Sequence, residues 1–175
     1  GADHRTFFEV FPTPKGEAMW HSWDQNGAHY VVLVNVFDFE NMGLLGNDQL
    51  RWLEQDLRAQ KSSTPVVVFT HAPLYALFPQ WGWTTKDGSL ALGMLKRFDH
   101  VTVLSGHIHQ VIRHQEGTIT FASASATAYP QPAPGTAPKP GPLALPHAQL
   151  LQAIGYRNVE LSGDGRAVID DQRLG

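Results

Sequence analysis

The chain of 175 residues contains no cysteine, which excludes a disulfide framework and any thiolate metal site. A metal bound here would have to use His, carboxylate or amide ligands. The same absence is compatible with the cytoplasm and with an exported compartment, so it does not choose between them. Charge of one sign is also scarce. Lys and Arg number 13 against 16 Asp and Glu, a net charge of −3, so there is no basic field for nucleic acid or an acidic membrane surface. No apolar run reaches the ~18 residues of a membrane span. The first residues, Gly1-Ala2-Asp3-His4-Arg5, lack the basic and then apolar pattern of a signal peptide, and no initiator Met precedes them.

The residues present describe a globular chain. Hydrophobic residues make up 42% and charged residues 17%, outside the range of disordered segments. The length suits one domain with a substantial core, and residues 1–175 are read as a single domain.

A short apolar stretch at 7–11 ends at Pro12 and Pro14. Residues 19–25 and 29–36 are strand-like, and Asn26-Gly27 between them is a tight-turn signal. Residues 47–60 are predicted as a helix capped by Asn47, with Leu50, Leu53 and Leu57 on one face. The run Val66-Val67-Val68-Phe69 predicts a buried strand. A second helix, capped by Asp87 or Ser89, is expected to run through Phe98. Residues 101–104 form another buried strand, and 110–115 with 118–123 a hairpin across Glu116-Gly117.

Residues 130–146 are rich in Pro, Ala and Gly. Composition alone would make them a linker. Because a short helix at 147–154 and strands at 156–161 and 167–170 follow, we read them as a long loop laid on the domain. The whole predicts an α/β fold, a mixed β-sheet sandwich flanked by helices.

Two of these strands run directly into imidazole. One ends in Thr70-His71-Ala72-Pro73, the other in Ser105-Gly106-His107-Ile108-His109. Ligand sites in open sheets gather at the carboxyl ends of strands, and neutral imidazole is the commonest protein ligand for zinc-, iron- and manganese-type ions. A lone His after a strand is more often a surface or capping residue. Two such ends in one chain favour a metal site. If 107–109 stays extended its two rings point the same way; if the chain turns after Gly106 they diverge and could serve two metals. His21, His29, His100, His114 and His147 lack such a context and are assigned to surface or packing. Asp38 and Glu40 follow a strand and could cap or orient. The aromatic group after His71, with Phe78, Trp81 and Trp83, is either packing against the sheet or the wall of a substrate pocket.

Together, Thr70-His71-Ala72-Pro73, Gly106-His107-Ile108-His109 and the helix beginning Gly46-Asn47-Asp48-Gln49-Leu50 resemble the calcineurin-like metallophosphoesterase superfamily over roughly residues 20–125. Ala128-Tyr129-Pro130-Gln131-Pro132 resembles a bacterial branch related to cyclic-nucleotide phosphodiesterases and purple acid phosphatases. The resemblance implies a four-layer αββα fold and hydrolysis of phosphate mono- or diesters at a binuclear centre of Mn, Fe or Zn. It implies His71 and His107 on one metal and His109 on the other; on the pocket-wall reading of the aromatic group, Trp81 and Trp83 are the substrate-binding residues.

The superfamily's D-x-H, G-D and G-N-H-D motifs, which carry the remaining ligands and the general acid, are not found. Gly1-Ala2-Asp3-His4 could be a degenerate G-N-H-D, though Ala2 has no amide to coordinate. The reading adopted is that the chain is the C-terminal half of such a domain, with no catalytic residue of its own, completed by an upstream half or another chain. The rival reading is a noncatalytic metal-binding or scaffold module. A mononuclear His-metal hydrolase would need a carboxylate ligand, for which Asp99 and Glu116 are poorly placed.

Overall fold

The computed structural model describes residues 19–36 and 43–175. The stretch at 7–11, Asp3, His4, Asp38 and Glu40 lie outside the described residues.

Strands β1 (His21–Gln25) and β2 (Ala28–Val32) form the expected hairpin. Asn26 and Gly27 have φ of 51° and 78°, the pair of left-handed residues that a two-residue turn matched to strand twist requires. Helix α1 (Asn47–Arg58) leads to β3 (Val66–Thr70), and α2 (Gly88–Leu95) leads to β4 (Val101–Ser105). A second hairpin, β5 (Ile112–Glu116) and β6 (Ile119–Ser123), closes a six-stranded sheet of order β1-β2-β3-β4-β6-β5. Its four inner strands are parallel and its two edges antiparallel. After a long connection, α3 (His147–Ala153) runs into the hairpin of β7 (Gly155–Leu161) and β8 (Ala167–Arg173). This is the mixed α/β architecture, a sheet flanked by helices, that the alternating elements predict.

The strand alternation sorts the core. Val31, Val66, Val68, Val101, Val103, Ile119 and Phe121 face the helices and pack against Leu50, Leu53, Leu57, Ala91, Leu92 and Leu95. Burying each large aliphatic side chain contributes about 1.5–3 kcal/mol, which is what holds α1 and α2 on the sheet. Tyr30, Val67, Phe69, Leu104 and Ala122 point to the opposite face. There they border a cleft of about 510 Å³ against Arg157, Val159 and Leu161 of β7.

Three local expectations change. Asn47 is the first helical residue of α1, not its cap; Gly46 holds that position at φ 83°, with no side-chain cap. Asp87 occupies the cap position of α2, but its carboxylate accepts instead from the Leu45 and Gly46 amides, at 2.9 and 2.8 Å. It thereby ties the start of α1 to the start of α2, and α2 ends at Leu95, short of Phe98. The last strand pair starts earlier than the expected residue 156, with Gly155 as the first residue of β7. A Cβ there would lie 2.0 Å from the Gln172 carbonyl oxygen, so only glycine fits.

Candidate metal centre

Parallel pairing of β3 with β4 brings Thr70 opposite Ser105, so the residues that follow emerge side by side. The Gly106 amide donates to the His71 carbonyl (3.0 Å), extending the ladder past the strands. Nδ1 of His107 then lies 3.2 Å from Nε2 of His71, with the rings edge to face at 5.0 Å between centroids. Two imidazoles on one tetrahedral ion, each at about 2.05 Å, hold their nitrogens about 3.3 Å apart. The observed separation is close to that value, and it is equally that of an N–H···N hydrogen bond in which one ring donates to the other.

Protonation agrees with the geometry. Burial lowers the pKa of His71, and the nearby His109 lowers it further. Burial, then His71 and His109, push His107 down to about 4. Both rings are neutral at neutral pH, the form in which imidazole binds a metal without first losing a proton.

His109 behaves differently. The chain turns within the loop, with His107 at φ 65° and His109 at φ 55°, so the two rings do not point the same way. The His109 Nδ1–H donates to the Tyr129 carbonyl (2.8 Å), and its ring packs on the Tyr129 ring at 4.6 Å. That bond fixes the tautomer and leaves Nε2 with its lone pair free. Among the described residues, no group of three or more His, Cys, Asp or Glu side chains is assembled to hold a metal ion. The described residues thus bring two imidazole nitrogens to 3.2 Å, with a third imidazole close by.

The loop from His71 to Asp87 is held from beneath by residues that sequence reasoning did not single out. Asn35 is fully buried. Its side-chain oxygen accepts from the Ala72 amide (3.1 Å), and its nitrogen donates to the Ala72 carbonyl (2.9 Å) and to Thr85 Oγ1 (2.8 Å). The Thr85 hydroxyl in turn donates to the Pro73 carbonyl (2.9 Å). The available signal was an amide at the exit of an apolar strand, Leu33-Val34-Asn35.

The two tryptophans separate. Trp83 is wholly enclosed, edge-to-face with Trp81 at 5.1 Å and with Phe78 at 6.4 Å, so its ring packs the loop and presents no face to a ligand. Trp81, at the end of the 3₁₀ turn Pro79–Trp81, remains partly exposed.

No family model matches the chain. Purple acid phosphatase 23 of Arabidopsis thaliana is 33% identical over an aligned stretch of 82 residues, covering 43% of this chain. The match takes in 17% of that relative's length. Among solved structures, a dimetal phosphatase from Danio rerio aligns at 20% identity with a TM-score of 0.41, over 46% of this chain and 27% of the other. What the chain shares with a phosphatase of known class is therefore one stretch of sequence, less than half of its own length.

Proposed function

We propose that this chain contributes to a metal-dependent phosphoester hydrolase, with His71 and His107 on one ion of a binuclear centre and His109 on the other. The observation that carries the reading is the 3.2 Å approach of two neutral imidazoles at adjacent strand ends. The stretch similar to a purple acid phosphatase supports the reaction class. Divalent or trivalent ions of the Mn, Fe or Zn type, when bound, supply acidification of a water and neutralisation of charge on phosphoryl oxygens.

The chain's own part is narrower. His71 and His107 would offer lone pairs from the ends of two inner strands, which fixes where phosphate oxygens would be held. The described residues provide no bridging carboxylate and no general acid within this cluster. In this proposal those groups come from an upstream segment or a completing chain, and Trp81 borders the substrate. Groups that act as one unit lose most of their catalysis when any member is missing. The chain alone is therefore expected to hydrolyse phosphate esters weakly or not at all.

The test is metal analysis of the purified chain loaded with Mn²⁺ or Zn²⁺, alongside assays on an aryl phosphate and an aryl phosphodiester, with and without an upstream half. Stoichiometric metal that vanishes in His107→Ala, with activity appearing only on completion, supports the reading. Metal binding with no activity under any completion would favour the second reading, a noncatalytic metal-binding module. Strong turnover by the chain alone would refute the partial-site proposal.

A further inference from the structure

The loop carrying His107 and His109 adopts a conformation its own residues do not favour. Both histidines have positive φ, 65° and 55°, with the fully buried Ile108 between them. Side chains bearing a Cβ visit this region rarely, and two such residues within one short loop persist only where the surroundings over-determine them.

Within the loop the Ile108 amide donates to the Gly106 carbonyl across His107 (2.7 Å), and from outside the Pro-rich segment holds it. The Gln131 side chain donates from Nε2 to the His107 carbonyl (2.7 Å) and accepts at Oε1 from the Gly141 amide (3.1 Å). The Tyr129 carbonyl takes the His109 Nδ1–H. The Gln110 amide nitrogen donates to the carbonyls of Gln131 (3.1 Å) and Pro132 (2.6 Å), and the Ser123 hydroxyl donates to the Gln110 carbonyl (2.8 Å). The Pro130 carbonyl accepts from the Leu143 amide (3.0 Å). Four successive carbonyls, from Tyr129 to Pro132, are thus all engaged. A stretch in which two of four residues are proline has little backbone freedom to lose and few N–H groups of its own to satisfy. It suits the task of presenting carbonyls in a fixed array.

Resting on the metal-site reading above, we propose that Gln131 is a positioning residue for the metal-binding histidines. By holding the His107 carbonyl it sets the plane of the 107–108 peptide. That plane fixes the left-handed turn, and the turn aims the His107 ring at His71 and the His109 ring at Tyr129. The Pro-rich segment is the jig on which the ligand loop is bent.

The experiment is a Co²⁺ titration of the full chain followed by its visible ligand-field bands, with the metal-free thermal midpoint measured in parallel. It compares the unaltered chain with His107→Ala, Gln131→Ala, Gln131→Glu and Lys139→Ala. Lys139 is exposed on the same segment and serves as the control. Glu at 131 retains an acceptor for the Gly141 amide but cannot donate to His107. Both Gln131 variants are expected to weaken Co²⁺ by about 10–100-fold and to shift the bands, as loss of a group that orients a ligand does. Lys139→Ala should change neither.

Co²⁺ binding unchanged in both Gln131 variants, but lost in His107→Ala, overturns the positioning role and leaves the site standing. Binding indifferent to His107→Ala overturns the site itself, and the positioning role with it. Loss of the folded state in both Gln131 variants would make the residue a folding determinant and likewise overturn the proposal.

Discussion

His29 of β2 is held between two carboxylates, Asp24 of β1 and Asp56 of α1. Its Nδ1 lies 2.8 Å from Asp24 and its Nε2 2.8 Å from Asp56, while the ring is almost wholly buried. Burial pulls its pKa down, but the hydrogen bonds and charges of Asp56 and Asp24 outweigh it, and the net shift is upward. A raised folded-state pKa contributes stability that is complete below the unfolded value of about 6.5 and is lost as pH rises through the folded value. Chemical denaturation of the chain and of His29→Gln should therefore show a larger stability gap near about pH 5.5 than near about pH 9. A gap that widens with pH would contradict the network. His71 and His107 obey a different rule, because burial keeps their rings neutral and their proposed role is to offer lone pairs. His71→Ala or His107→Ala should abolish metal retention, measured by elemental analysis after dialysis, whereas His114→Ala should leave it intact. His114 stacks on Tyr75 and Phe121 and lies on a different strand. Asn35→Ala leaves the Ala72 amide and Thr85 short of partners in a buried place. It should cost about 2–4 kcal/mol in denaturant unfolding, since a buried group stripped of its hydrogen bond loses ~1–3 kcal/mol.

At the level of elements, local chemistry made the fold readable. Apolar runs mark β3 and β4, Asn26-Gly27 marks the first hairpin, and the Leu50, Leu53 and Leu57 stripe marks α1. Helix starts were misread because tertiary contacts override caps: the Asp87 carboxylate serves Leu45 and Gly46, some forty residues earlier in the chain, rather than its own helix. The site was half legible for the same reason. Imidazole directly after a buried strand is a local pattern, but Asn35 and Gln131 reach backbone groups 37 and 24 residues away, and no spacing encodes those bonds. The Pro-rich segment shows the limit of composition: a stretch that reads as a linker is tied through Tyr129 and Gln131 to the histidine loop, and through Gln131 to its own Gly141. Limited proteolysis of the native chain should therefore spare residues 130–146. Rapid cleavage there would mean that these bonds do not hold it.

For the whole molecule, the two faces of the sheet are unequal. One is sealed by α1 and α2, while the partly exposed Tyr30, Phe69 and Leu104 on the other border an open cleft against β7. Apolar surface of this kind drives association unless something covers it. Sedimentation velocity on the chain alone should show concentration-dependent self-association, and Phe69→Ser should reduce it. A monodisperse monomer at high concentration would mean that β7 and β8 already cover enough of that face.

The left-handed backbone at His107 and His109 also bears on which residues natural selection could place there. An L side chain in this conformation costs about 1–2 kcal/mol, while glycine loses only about 0.5–1 kcal/mol through its greater freedom when unfolded. In folding terms the His109 bond and ring contact to Tyr129 offset part of this strain, and glycine would relieve the strain while losing those contacts. His109→Gly should thus melt within a few degrees of the parent, or above it, while retaining less metal. If it instead melts far below the parent, the ring at 109 belongs to the scaffold, and its chemistry is incidental.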